Sequence, residues 1–309
     1  MSAQPVLLSI PQTIQLERIL YATDFSRASE RALPIVSAIA RHYGSQVFLA
    51  HIWPSKPYPI PDVGVIPSFE EKEARNLMAE LLHRPELENL RTTVQLEPGE
   101  PVEKIKDYVQ KHCIDLVIIG THGRKGLPHT VMGSVAEDLF RTLKCAVLTI
   151  GPNLEARFNV VNTIKSILFP TDLSPESKAV FPYLASLAAE FGSEIVLMHV
   201  LPIETGSNPD ARKLAEPLRQ EMQRFFGPQL SHKCKAKYLL EFGDVSSTIL
   251  ETADAYKTDL IGMGIREQNA LIPHLHMTAA YRVRHRGKLP SADCAWHTLD
   301  RIAEFQDGQ

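Results

Sequence analysis

Short runs of uninterrupted apolar residues alternate along the chain with longer stretches of helical periodicity, and the alternation occurs twice. In the first pass, RILYA, QVFLAHIW, TTVQLEP, DLVIIG and CAVLTI each have the length and β-branched content of a strand. Between them, the spacing predicts a helix from Ser26 as N-cap to about His42, with Gly44 as its stop and a kink at Pro34. A proline-rich loop (Pro54, Pro57, Pro59, Pro61, Pro67) follows the second strand, and Ser68 with Glu71 forms a capping box for FEEKEARNLMAELLHR. VEKIKDYVQKH behind Pro101 and VAEDLFRTL are the remaining helices. Strands apolar throughout and separated by helices predict an α/β sandwich, a parallel sheet of five strands covered on both faces.

The second pass is a copy of the first. RILYATDFS (18–26) and SILFPTDLS (166–174) match at an offset of 148, which also pairs Gly44 with Gly192, His51 with His199 and Pro54 with Pro202. Further on, EPGE (97–100) matches EFGD (241–244), Asp115 and Gly120 match Asp259 and Gly264, and KCAVLTI (144–150) matches DCAWHTL (293–299). The expectation is two repeated α/β sandwich domains, residues 14–152 and 163–303, each with a five-stranded parallel sheet. In the second copy, Ser174 and Pro175 open the first helix, while YRVRHRGKLPSAD, with Gly287 and Pro290, is a poor match for the last one. Pairing of CAVLTI with DCAWHTL would remove two exposed edges and make the chain a pseudo-dimer of its own halves, open to further homodimerisation.

Composition narrows the function classes. With 33 basic and 36 acidic residues, the net charge of −3 gives no general reason to expect nucleic acid or an anionic membrane as partner. The apolar runs fall far short of the roughly 20 residues that span a bilayer, and the start MSAQPVLLSIPQ lacks a basic n-region, so the expected location is the cytoplasm. Cys113, Cys145, Cys234 and Cys294 contain no CxxC pair and read as reduced thiols, with Cys113 and Cys145 assigned to the core. His274 and His276 lack a third ligand, so no metal site is assigned. The basic cluster RVRHRGK (282–288) reads as a solvated helix end, and His51 and His199 as structural histidines at strand edges.

Candidate chemistry belongs at the carboxyl ends of the strands, where open parallel sheets bind ligands. GTHGRKGLPHTVMGS (120–134) leaves the fourth strand there. Gly120 and Gly123 allow backbone amides to approach an anion, and Gly133 and Ser134 open a helix whose free N–H groups attract phosphate. Asp24, between strand and helix, is placed to accept from a ribose or an amine. The spacing is neither a Walker loop nor GxGxxG, so these residues alone leave a phosphate cradle and a tight turn both open.

The pattern G-x2-G-x9-G-[ST], met by Gly120, Gly123, Gly133 and Ser134, together with TDFS after the first strand, a strand ending in HI, and GSVAE leading to CAVLTI, resembles the universal stress protein family in its tandem form. The resemblance implies an adenine nucleotide α-hydrolase-like, Rossmann-like fold and ATP bound with Mg²⁺ in the first copy. By position it implies Ala22, Thr23 and Asp24 around the adenosine, Ile52 against the adenine, and Gly120, Gly123, Gly133 and Ser134 around ribose and phosphates. The second copy keeps Asp172, Val200 and Gly264, but Gly123 becomes Glu267 and, with Met277 matched to Met132, Gly133 and Ser134 become Thr278 and Ala279. A carboxylate in the phosphate position predicts that the second copy does not bind a triphosphate in the family's usual way, while the kept strand-one end leaves an adenosine-only or altered ligand open. Three readings remain: a nucleotide-binding stress-response module read by protein partners, a weak ATPase on the same site, and a nucleotide-free scaffold. No nucleophile–base–orienter set is visible, so no catalytic residue is assigned.

Overall fold

The structure, a computed structural model, describes residues 14–54, 69–120, 134–143, 145–150, 164–201, 209–230, 234–265 and 274–279. The first half runs β1 (Arg18–Ala22), α1 (Arg27–Glu30), α2 (Leu33–Tyr43), β2 (Gln46–Trp53), α3 (Phe69–Leu82), β3 (Arg91–Pro98), α4 (Pro101–His112), β4 (Leu116–Gly120), α5 (Ser134–Thr142) and β5 (Ala146–Ile150). The second half runs β6 (Ser166–Pro170), α6 (Pro175–Phe191), β7 (Glu194–Leu201), α7 (Pro209–Phe226), β8 (Lys235–Phe242), α8 (Val245–Ala255), β9 (Leu260–Ile265) and β10 (His274–Ala279).

All strands join one ten-stranded sheet in the order β3-β2-β1-β4-β5-β10-β9-β6-β7-β8. The five strands of the first half are parallel throughout. β2 is buried along almost its whole length because helices cover both faces, whereas the outer strands β3 and β8 carry Arg91, Thr92, Lys235 and Lys237 and leave a polar rim. Asp115 fixes the start of the sheet, its Oδ2 accepting from the Arg18 amide at 2.8 Å, and Asp259 repeats the bond to Lys165 and Ser166 at 2.8 and 3.0 Å.

Among the described residues the second half has four parallel strands, β6 to β9, with the expected fifth, DCAWHTL, outside them, and an additional strand, β10, runs antiparallel to β9. Only residues 266–273 separate β9 from β10, fewer than the helical crossover of a parallel connection needs, in keeping with the antiparallel pairing of the two strands. β10 then pairs in parallel with β5, from His276↔Val147 to Ala279↔Ile150, and joins the halves. The halves do pair through CAVLTI, but its partner is HLHMTA; DCAWHTL and the basic cluster 282–288 lie outside the described residues.

Two further expectations change. The helix predicted from Ser26 to His42 is interrupted at Arg31–Ala32, and Pro34 sits in the first turn of α2, where its missing N–H is not needed. The matching Pro182 lies within an unbroken α6. Cys113, assigned to the core, is exposed: it caps α4 with a left-handed φ of 48°, which turns it out of the helix's buried face. Cys145 is half-buried against the core around α4 and α5. Ser68, the proposed cap of α3, lies outside the described residues.

One face of the sheet carries a single apolar core shared by both halves, from Ile19, Tyr21, Leu33 and Ile118 to Phe169, Phe181, Leu184 and Phe226. The other face carries two separate cores, one under α4 and α5 and one under α8. On the shared face the two copies meet at equivalent positions. His42 and Glu190, 148 residues apart, touch through Nε2 and Oε1, the Tyr43 hydroxyl donates to Glu190 Oε2 at 2.6 Å, and the His42 ring lies 5.1 Å from that of Phe191. Contact between a residue and its own counterpart is the signature of a two-fold relation, here within one chain.

Candidate functional site

Strand order reverses in the first half between β1 and β4. From β1 the sheet extends one way through β2 and β3 and the other way through β4 and β5, leaving a crevice at the carboxyl ends of β1 and β4. Ala22 is paired with Ile119, so the residues after β1 sit beside Gly120 at the end of β4.

The chain beyond Ala22 is held by its own side chains. The Thr23 amide extends the ladder by donating to Ala50 O at 2.9 Å. Its hydroxyl oxygen accepts from Phe25 N at 3.0 Å and Ser29 Oγ at 2.7 Å, and its carbonyl accepts from His51 Nδ1 at 2.8 Å. Because a carbonyl can only accept, this last bond places the His51 proton on Nδ1. Asp24 Oδ1 accepts from Ser26 N at 3.0 Å, and Ser26 Oγ in turn accepts from Ser29 N, capping α1. The turn forces Phe25 to φ 57°, a left-handed conformation that costs a non-glycine residue about 1 kcal/mol. Thr23 is therefore buried scaffold, and Asp24 is left half-buried at the mouth of the crevice. Under the turn, Tyr21 donates to Ser29 O at 2.8 Å, and burial pushes its ionisation up to about 12.

Ile52, 9% exposed, and Trp53 close β2 on the other side of the crevice. The His51 ring lies 4.5 Å from Phe25 and is stacked 6.1 Å from Trp53. Opposite Ile52 stands Glu97, bonded by Lys104 Nζ at 2.7 Å across Gly99. Neither this ion pair nor the ring stack was singled out from sequence; the one available signal was that EPGE recurs in the second copy without a lysine to match Lys104. Ser134 opens α5, and Gly123 and Gly133 lie outside the described residues. Of the eight expected site residues, Ala22, Thr23, Asp24 and Gly120 thus share the β1–β4 crevice, with Ile52 one strand away. Among the described residues, no three His, Cys, Asp or Glu side chains gather to hold a metal ion, and no helix is long and apolar enough to cross a membrane.

The turn after β6 reproduces the one after β1 bond for bond. Thr171 Oγ1 accepts from Leu173 N at 3.1 Å and Ser177 Oγ at 2.8 Å, Asp172 Oδ1 accepts from Ser174 N at 3.0 Å, and His199 Nδ1 donates to Thr171 O at 2.7 Å. Leu173 is held at φ 62° as Phe25 is at 57°. What differs lies on the β9 side: with His274 and Met277 matched to His129 and Met132, β10 occupies the counterpart of residues 129–134, the end of the glycine motif.

Residues 15–151 and 163–290 each match the model of the universal stress protein family. Universal stress protein MJ0577 of Methanocaldococcus jannaschii is 28% identical over 158 residues, 45% of this chain and 96% of its own. A universal stress protein from Archaeoglobus fulgidus, at 16% identity, aligns over 85% of this chain and 98% of its own with a TM-score of 0.63. A universal stress protein solved in complex with cAMP aligns over 45% of this chain and 100% of its own, at 17% identity and a TM-score of 0.36.

Proposed function

Since the chain belongs to the universal stress protein family, with one domain of the family in each half, we propose that its first half binds ATP and serves as a regulatory module whose occupied state is read by protein partners. The observation that carries this reading is the β1–β4 crevice: a rigid, internally bonded Thr23–Asp24 turn set beside Gly120 at the point where strand order reverses. Ala22 and Ile52 supply apolar surface for the base, and the Asp24 carboxylate, anchored by Ser26 N–H, accepts from ribose hydroxyls. Gly120, Gly123 and Gly133 let main-chain amides approach the phosphates, and the N-terminus of α5 at Ser134 favours their charge. The donor set suits a triphosphate that brings Mg²⁺ with it, since the protein contributes hydrogen bonds and no cluster of metal ligands among the described residues. Four cysteines with no CxxC pair fit the cytoplasm as the site of action.

The second half keeps the turn but not the phosphate wall. Glu267 stands where Gly123 does, and residues 274–279 are committed to strand pairing. One ATP per chain is therefore expected. Titration calorimetry of the purified chain with ATP and Mg²⁺ tests this. A single site should appear and be abolished by Gly123→Glu, which copies the second half. No binding, two equivalent sites, or undiminished affinity in that variant would each overturn the reading.

A further inference from the structure

Beside Ile52, at the carboxyl end of β3, lies an ion pair that the fold does not require. Glu97 is the register partner of Ile52, and residues directly opposite on adjacent strands project to the same face, so its carboxylate lies on the side of the core that Ile52 shares with Val102 and Ile105 of α4. Lys104, also on α4, reaches it at 2.7 Å by lying across Gly99. A Cβ on Gly99 would stand 2.9 Å from Lys104 Cε and 3.2 Å from Cγ, and the backbone there has φ +149°, which strains other residues, so glycine lets the lysine stem lie here without a shift. Lys104 occupies Oε2, and Oε1 has no partner among the described residues.

A pair whose side chains are 35% and 33% exposed adds little to stability. The second half confirms that the strand–helix turn closes without it. There Val200↔Glu241 repeats Ile52↔Glu97, and Gly243 N bonds Leu201 O at 2.9 Å as Gly99 N bonds Trp53 O, but Thr248 replaces Lys104 and turns its hydroxyl back onto Asp244 O at 2.6 Å. The lysine–glutamate pair thus occurs only in the half with the intact glycine motif.

We propose that the Glu97–Lys104 pair is the base-reading wall of the pocket and selects purines bearing a 6-amino group over those bearing a 6-oxo group. The inference rests on the reading of the first half as a nucleotide site with the base beside Ile52. Lys104 keeps Glu97 charged and fixed, and Oε1 accepts from an exocyclic amine. A 6-oxo group in the same place brings two acceptors together and is rejected.

ATP and inosine triphosphate, which differ in this group, are the probes, titrated with Mg²⁺ into the full chain. The wild type should prefer ATP by about tenfold or more, the usual consequence of gaining or losing a hydrogen bond to a charged partner. Glu97→Gln, whose amide can donate to an oxo group, should bring the two affinities within about twofold. Lys104→Met, which keeps the carboxylate but removes its tether, should reduce the preference several-fold. Equal wild-type affinities, or a preference untouched by Glu97→Gln, overturn the base wall while leaving the nucleotide site standing. A wild type that binds neither triphosphate overturns both.

Discussion

Replacing Glu190 by alanine tests whether the contact between equivalent positions holds the halves together. The carboxylate accepts from the Tyr43 hydroxyl at 2.6 Å and touches His42 Nε2, with the His42 and Glu190 side chains 26% and 21% exposed. Burial and the neighbouring carboxylate both push Tyr43 ionisation upward, so the phenol is the donor in this bond at neutral pH. A hydrogen bond to a charged acceptor contributes about 1.5–3 kcal/mol, reduced here toward ~1–2 by partial exposure, and the histidine contact adds at most about 1. Glu190→Ala should therefore destabilise the chain by about 2 kcal/mol. Tyr43→Phe should cost ~1 kcal/mol, and the double variant should fall short of the sum by about 1 kcal/mol, the energy of the shared bond. Urea unfolding followed by the fluorescence of Trp53 and Trp296, one in each half, reads all four proteins, and the shared core on the α2–α6 face predicts one transition for each. Additive losses within ~0.3 kcal/mol would mean that the two residues do not act on each other, and two separate transitions would mean that the halves unfold independently.

Two further outcomes are expected. Tyr21 is fully buried with its ionisation raised to about 12, above the ordinary 10.0 that it regains on unfolding; the stability it contributes is complete below pH 10 and lost as pH rises toward 12, at most about 2–3 kcal/mol, so alkaline unfolding should be delayed in Tyr21→Phe relative to its own neutral-pH stability. Iodoacetamide at pH 8 followed by mass mapping should label exposed Cys113 in the native protein, while Cys145, whose thiol burial pushes up to about 12, should react only after denaturation; equal labelling of the two would contradict the packing around α5.

Much of the fold was legible because its strands are buried on both faces and therefore apolar without a break, and because the repeat supplied each element twice. The errors have local causes. Pro34 and Pro182 are the same residue in the same position, yet one sits in the first turn of a new helix and the other inside a continuous one, a difference set by the residues around them rather than by proline itself. Cys113 read as core because it follows a helix of buried residues, but a C-cap in the left-handed conformation points its side chain away from that face. In the site, the Thr23–Asp24 turn was visible as a repeated motif. The partner of Glu97 was not, since Lys104 lies seven residues away on another element and is brought back only by the bare backbone of Gly99.

The antiparallel β10 also gives the repeat's asymmetry a physical basis. In the first half, residues 121–145 separate β4 from β5, enough for α5 to lie between two parallel strands. In the second half the matching stretch, 274–279, is itself a strand, bonded to β9 on one side and β5 on the other. Its backbone amides are spent on the ladder and cannot also turn toward an anion. On the proposed reading of the first half as a phosphate site, joining the halves through β10 and keeping a second cradle are mutually exclusive uses of the same residues. On that reading, glycines at positions 267 and 278 would not by themselves give the second half a triphosphate site, because binding there would require β10 to leave the sheet and break its ladder with β5, while the core shared by α2 and α6 would still hold the halves together.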